Sequence, residues 1–143
     1  MNEYMQIALD EAIKTEKDIP VGAVIVKDGV LIASAHNLRE EDNDISSHAE
    51  ILALRIASNR FGDWRLEDCD MYVTMEPCPM CGWAILQSRI KNLYFGSYNN
   101  QYGAFSSSAD LRKISNVKTN IYGGIMEEEC DKLIDKFFKD MRD

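Results

Sequence analysis

The amino-acid sequence predicts an α/β protein, a three-layer sandwich in which helices cover both faces of a mixed, five-stranded sheet. Three observations support this fold class. Strand-like and helix-like hydrophobic patterns alternate along the chain. The dipeptide Asp28-Gly29 separates the first two β-rich runs and is typical of a tight antiparallel hairpin. Later strand candidates are joined through helices, which favours a parallel arrangement for them.

The helices are predicted from apolar residues that recur at helical spacing. The first helix carries such a stripe, and Pro20 follows it and breaks the pattern. The residues of that stripe are Met5, Ala8, Ala12 and Ile13. The predicted helices span residues 3–15, 48–59, 80–88, 108–114 and 126–141.

The strands are predicted from short runs rich in β-branched and aromatic residues. They span residues 21–27, 30–36, 71–75, 93–96 and 118–122. Pro77 and Pro79 end the third strand, and Gly123-Gly124 forms a turn before the last helix. Residues 39–46 are predicted to be a polar loop.

Composition limits the class of protein. The chain has 143 residues, of which 45% are hydrophobic, and residues 1–143 are predicted to form one domain. No apolar run approaches the roughly 20 residues that cross a bilayer, so no membrane partner is expected. The first residues do not resemble a signal peptide, which favours a cytoplasmic location. A net charge of −8 argues against a broadly basic, phosphate-binding surface.

The chain contains four cysteines, and two of them are close together. Cys78 and Cys81 form a C-x-x-C pair, which in an intracellular protein indicates metal or redox chemistry. Taken alone, the pair could equally be two buried core thiols. Cys69 and Cys130 have no partner at ligand spacing and are expected in the core.

A metal site is predicted where two helices begin. His48 opens the second helix, and Cys78 and Cys81 open the third. Helix starts and strand ends are where α/β folds build sites, and a helix N-terminus favours thiolates. Two thiolates and an imidazole suit Zn²⁺. We expect one zinc ion per chain, with the fourth position open to water or hydroxide.

Glu50, two residues after His48, is predicted to be the catalytic proton carrier. At a first helical turn it could reach the metal-bound water without binding zinc, take its proton and deliver protons to the substrate. Two other interpretations stay open. Ser47 and Glu50 fit a capping box, which would make Glu50 a cap partner. A closed structural zinc site in a binding protein would need a fourth protein ligand, such as Cys69 or His36.

The combination of H-x-E with P-C-x-x-C resembles the cytidine deaminase superfamily, and within it the bacterial tRNA adenosine deaminases. The likeness covers nearly the whole chain. Beyond the metal motifs it rests on residues 19–24, 35–38, 64–66, 72–81, 88–90, 103–104, 129–130 and 137–138. It implies a homodimer that converts the wobble adenosine of a tRNA anticodon loop to inosine. It also implies that Asn37, the backbone around Ala49, and Val21 contact the base.

Three segments depart from the family pattern, and they leave the substrate open. Asn99 stands near a position where the family commonly carries Asp. Asn116 and Val117 replace a usual Asn-His pair, and Ser47 ends an Ile-Ser-Ser run that replaces Pro-Thr-Ala. The alternative is therefore a deaminase of a free base or nucleoside, of guanine, cytosine or cytidine type.

Overall fold

The computed structural model describes residues 2–142, which fold around one five-stranded sheet with the order β2-β1-β3-β4-β5. The strands are β1 (Gly22–Lys27), β2 (Val30–His36), β3 (Cys69–Met75), β4 (Asn92–Ser97) and β5 (Asn120–Tyr122). Strand β1 is antiparallel to both β2 and β3, whereas β3, β4 and β5 are mutually parallel. The predicted mixed sheet is therefore confirmed, including its antiparallel opening and its parallel later strands.

Helices cover both faces of the sheet, which confirms the three-layer prediction. They are α1 (Glu3–Ala12), α2 (Arg39–Asp42), α3 (Ala49–Phe61), α4 (Pro79–Gln87) and α5 (Glu127–Arg142). Alternate residues of β1 point to opposite faces. Ala23 and Ile25 join the core beneath α3 and α4, and Val24 and Val26 join the core beneath α1 and α5.

Two glycines position the elements, one in a turn and one at a close contact. Asp28 and Gly29 both have positive φ angles, 51° and 75°, as a tight β1–β2 hairpin requires. Gly22 begins β1 directly against α1, and a Cβ added there would lie 1.9 Å from the carbonyl oxygen of Ala8. This close approach lets α1 pack directly against the start of β1, where residues 18–21 enter the sheet.

Several predicted boundaries were wrong. Helix α1 ends at Ala12 rather than at residue 15, and Ile13 is its C-cap, 65% exposed rather than in the core. The loop at 39–46 contains the short helix α2, which is too brief to produce a hydrophobic period. The predicted helix at 108–114 is a single 3₁₀ turn, Leu111–Ile114.

Across residues 2–142, no helix combines the length and apolar character that crossing a bilayer demands.

Candidate active site

The N-termini of helices α3 and α4 converge near the C-terminal ends of strands β2 and β3. His48 is the N-cap of α3 and Cys78 is the N-cap of α4, and both have extended backbone angles. Neither side chain caps its own helix. Both are therefore free to point away from the helix and toward each other.

His48, Cys78 and Cys81 form a cluster in which the candidate ligand atoms all lie within 4.8 Å of one another. Cys78 Sγ is 3.9 Å from His48 Nδ1. Ligands of a tetrahedral zinc ion, at about 2.0–2.3 Å from the metal, lie roughly 3.5–4 Å apart. The donor types and their spacing thus fit zinc.

The closed structural site is not supported, because neither proposed fourth ligand joins this cluster. Cys69 is buried at the first residue of β3, whereas the cluster follows the last. His36 Nδ1 lies 3.2 Å from Glu11 Oε1, on α1. Within residues 2–142 the cluster offers three ligands, which leaves room for a water molecule.

The cysteines are electrostatically prepared to act as ligands. Hydrogen bonds from Cys81 and His48 stabilise the Cys78 thiolate and lower its pKa to about 4. The same hydrogen bond with Cys78 raises the pKa of His48. Donation to Cys78, together with burial, raises the pKa of the Cys81 thiol. A bound cation reverses this last effect, because it favours the thiolate form of both cysteines.

Glu50 is the second residue of α3 and its side chain is almost completely buried, with 4% exposure. Burial raises the pKa of Glu50 to about 7. A carboxyl group with a pKa near neutrality can both accept and donate a proton at physiological pH. Glu50 lines the same cavity as His48 and Cys78, a space of about 180 Å³.

The capping-box interpretation of Glu50 was wrong. Helix α3 begins one residue later than that motif requires, so His48 rather than Ser47 is the N-cap. The hydroxyl of Ser47 instead donates to Asp42 Oδ2 at 2.9 Å. Glu50 is thereby left free for the cavity.

The three residues expected at the base lie at the same site. Asn37, 5% exposed, accepts a hydrogen bond from the Ala49 amide and donates one to the carbonyl of Ile19, both at 2.8 Å. Val21 is buried, and its carbonyl accepts the Asn37 amide at 3.2 Å. Val21 and Asn37 line the cavity, whereas the Ala49 N–H is already engaged by Asn37.

An ion pair borders the cavity. Arg39, at the start of α2, lines it and donates through Nε to Asp18 Oδ2 at 2.8 Å. Burial opposes ionisation of Asp18, but the hydrogen bonds from Arg39 and from the Ile19 amide lower its pKa. A phosphate approaching Arg39 would therefore have to compete with a buried carboxylate.

A further part of the cavity is the segment after β4, in which sequence reasoning had marked only Asn99, as a departure from the family pattern. Asn99 and Tyr102 line the cavity, together with Met75 and Glu76 from the end of β3. Sequence reasoning missed Tyr102 and Glu76, because no hydrophobic period marks the irregular loop after β4. The one signal for Glu76 was its charge, directly before Pro77 and Cys78.

The sheet, its flanking helices and the three-ligand cluster beside a buried glutamate define the class of zinc-dependent deaminases. Residues 1–97 match the family described as the cytidine and deoxycytidylate deaminase zinc-binding region. The chain belongs to this family.

Individual relatives agree over nearly the full length. The chain is 39% identical to a tRNA-specific adenosine deaminase of Bacillus subtilis (strain 168), over 97% of this chain and 89% of the relative. It is 38% identical to the tRNA-specific adenosine deaminase of Agrobacterium fabrum, over 97% and 94% of the two chains.

Solved structures are also similar. A structure from work on tRNA:A34 deaminases has a TM-score of 0.88 and 37% identity, and the match covers 91% of this chain and 97% of that chain. The guanine deaminase of Bacillus subtilis has a TM-score of 0.64 and 39% identity, over 68% and 66% of the two chains.

Proposed function

We propose that this chain hydrolyses the wobble adenosine of tRNA to inosine and releases ammonia. The observation that carries the proposal is the agreement, over almost the whole of both chains, with proteins named tRNA-specific adenosine deaminases. The family by itself includes deaminases of several bases. The full-length likeness is therefore what favours tRNA as the substrate.

In this proposal His48, Cys78 and Cys81 hold one zinc ion. Their spacing and donor types support the assignment. When bound, zinc supplies the Lewis acidity that makes a water molecule nucleophilic at neutral pH. The helix starts fix two of the three ligands, since His48 and Cys78 are N-caps.

Glu50 moves the protons. Its carboxylate takes a proton from the attacking water and gives it to the ring nitrogen next to the reacting carbon. It then passes the second water proton to the exocyclic amine, which leaves as ammonia when the carbon–nitrogen bond breaks. One water is consumed, a carbonyl replaces the amine, and Glu50 returns to its initial state. A pKa of about 7 suits Glu50 to both halves of this cycle.

Asn37 and Val21 are proposed to contact the base, and Ala49 to act through Asn37. Asn37 uses one amide hydrogen on Ile19 and one oxygen lone pair on Ala49. One N–H and one lone pair of the side chain are left for a base. Two backbone contacts hold the amide in a single orientation, so it is organised before the substrate binds.

A second candidate is a deaminase of a free base or nucleoside. Two observations favour it: the net charge of −8, which opposes RNA, and the likeness to a guanine deaminase. The pairing of Arg39 with Asp18 also reduces the positive charge at the cavity mouth.

An assay of both substrate classes tests the proposal. We expect the zinc-loaded protein to form inosine and ammonia from tRNA or an anticodon stem-loop carrying adenosine at the wobble position. The matched control is the same stem-loop with guanosine there, which should release no ammonia. Guanine, cytosine, cytidine and adenosine are supplied separately. Ammonia from these small molecules alone would reject the tRNA proposal in favour of the second candidate.

We also propose that the chain acts as a homodimer in the cytoplasm, where its tRNA substrate is found. Large apolar side chains are exposed on α3, on α4 and between them: Ile56, Trp64, Met80 and Trp83. Both helices pack on the same face of the sheet, and apolar groups gathered on one side of a protein are typical of an interface. Light scattering should give twice the mass of one chain, and Trp83→Asp should give the mass of one. A monomeric wild-type protein at micromolar concentration would contradict the dimer.

A further inference from the structure

A buried carboxylate outside the proposed catalytic set lies directly before Pro77 and Cys78. We call these two residues the metal turn, because Cys78 is one of the proposed zinc ligands. Glu76 follows the last residue of β3 and is 1% exposed. Burying a carboxylate is costly unless hydrogen bonds replace its water. Glu76 obtains those bonds from a single distant segment, residues 99–107, which we call the wall segment.

The wall segment directs backbone N–H groups at both oxygens of Glu76. Oε2 accepts from Phe105, Ser106 and Ser107, at 3.1, 2.8 and 3.1 Å. Oε1 accepts from the Asn99 amide at 3.2 Å and from the Ser107 hydroxyl. Consecutive amides that converge on one oxygen form an anion-binding nest, here filled by the protein's own side chain.

The fit between carboxylate and wall segment leaves no free space. A Cβ added to Gly103 would lie 2.4 Å from the Glu76 carboxylate carbon. The wall segment is also tied to the metal turn, because the Ala104 amide donates to the Pro77 carbonyl at 2.9 Å. Glu76 thus joins the end of β3 to a loop that has no regular structure of its own.

The wall segment forms one side of the catalytic cavity. Asn99 and Tyr102 line that cavity together with Glu50 of α3 and His48, its N-cap. Asn99 Oδ1 accepts the Tyr102 amide at 3.1 Å, so the two residues share one turn. Tyr102 is 63% exposed and has little packing of its own. Its position therefore depends on the turn that Glu76 anchors.

We propose that Glu76 is a positioning residue for deamination, whose carboxylate holds the wall segment where Asn99 and Tyr102 meet the substrate. The inference rests on the proposed function for the identity of the substrate. Glu76 neither binds the metal nor moves a proton. Because Glu76 orders the wall segment before the substrate arrives, less of the binding free energy is spent on ordering that segment.

Glu76→Gln tests this directly. The amide has nearly the shape of the carboxylate, but its NH₂ group cannot accept. Whichever way it faces, at least one backbone N–H of the wall segment loses its partner. We expect KM for the anticodon stem-loop to rise about tenfold or more, since one charged hydrogen bond is worth roughly a tenfold change or more in an equilibrium. We expect kcat to change by less than about threefold, with zinc content unchanged.

Amide hydrogen exchange provides a readout that does not depend on activity. Four amides meet the Glu76 carboxylate, those of Asn99, Phe105, Ser106 and Ser107. At least one of them, on the side that the introduced amide nitrogen faces, should exchange about tenfold faster or more in Glu76→Gln than in the wild-type protein. Gly103→Ala is a second variant that displaces the wall segment while leaving the carboxylate in place, and it should raise KM in the same way. Glu11→Gln is the matched control, because Glu11 is a poorly exposed, ion-paired acid that does not line the cavity.

The outcomes separate the inference from the proposed function. If wild-type protein deaminates only small molecules, the tRNA proposal fails, and the KM comparison is then made with that small molecule. Unchanged KM and unchanged amide exchange in Glu76→Gln would overturn the inference. So would loss of zinc from Glu76→Gln, since Glu76 would then support the metal turn rather than the wall.

Discussion

Glu50→Gln is expected to retain zinc and to lose turnover. The substitution preserves the shape of the side chain but removes the group that accepts and donates a proton. Positioned acid–base groups contribute about 10²–10⁴-fold to rate, and kcat should fall by that factor. The effect should be near the upper end, because one carboxyl is proposed to serve several proton transfers. Inosine formation from the stem-loop and metal analysis of the purified variant measure the two expectations.

Glu11→Gln serves as the control for this experiment as well. Glu11 is paired with Lys14 and His36, away from the cavity, so its loss should leave kcat unchanged. A Glu50→Gln protein that deaminates at the native rate would remove Glu50 from the mechanism. A Glu50→Gln protein without zinc would show instead that the carboxyl group helps to hold the metal.

The fold was predictable where the evidence is local. The β1–β2 hairpin follows from Asp28-Gly29, whose positive φ angles are a property of those two residues. The end of α1 was not predictable in the same way. Ile13 continues the apolar stripe in sequence, yet it lies at the cap and is exposed. A hydrophobic period shows which face of a helix is buried but not how far the neighbouring sheet extends.

The metal cluster was predictable because its ligands are distinctive residue types at helix starts. Glu76 could not be assigned a role from sequence for the opposite reason. Its partners are backbone amides 23 to 31 residues away, and almost every residue supplies a backbone amide. Asn37 was assigned to the base only through the family resemblance, since its own partners, the amide of Ala49 and the carbonyl of Ile19, are likewise main-chain groups. Contacts to the main chain leave little trace in residue identity.

The three departures from the family pattern leave the metal cluster intact. Asn99 accepts the Tyr102 amide through its side-chain oxygen, and an Asp could make the same bond. Ser47 is buried and bonds Asp42, while Asn116 is exposed. Of the three, Asn99 lines the cavity. It is therefore the departure that bears most directly on which substrate enters, the question that the paired substrate assay addresses.

Cys81→Ala is expected to lose both metal and activity. Cys81 is fully buried on the first turn of α4, and without it the cluster has two ligands in place of three. Changes in residues that merely support zinc ligands cost about 10–100-fold in affinity or activity, so loss of a direct ligand should exceed about 100-fold. Zinc per chain, determined on purified protein, and ammonia release measure the two losses.

Cys69→Ala is the matched control, because Cys69 is equally buried but lies at the other end of β3. It should keep its zinc and lose only about 1 kcal/mol of unfolding free energy, as core truncations of this size do. The comparison separates the loss of a ligand from the loss of a buried thiol. Zinc at the wild-type level in Cys81→Ala would contradict the ligand assignment. Equal zinc loss in both variants would show that the metal depends on the core rather than on the sulfur of Cys81.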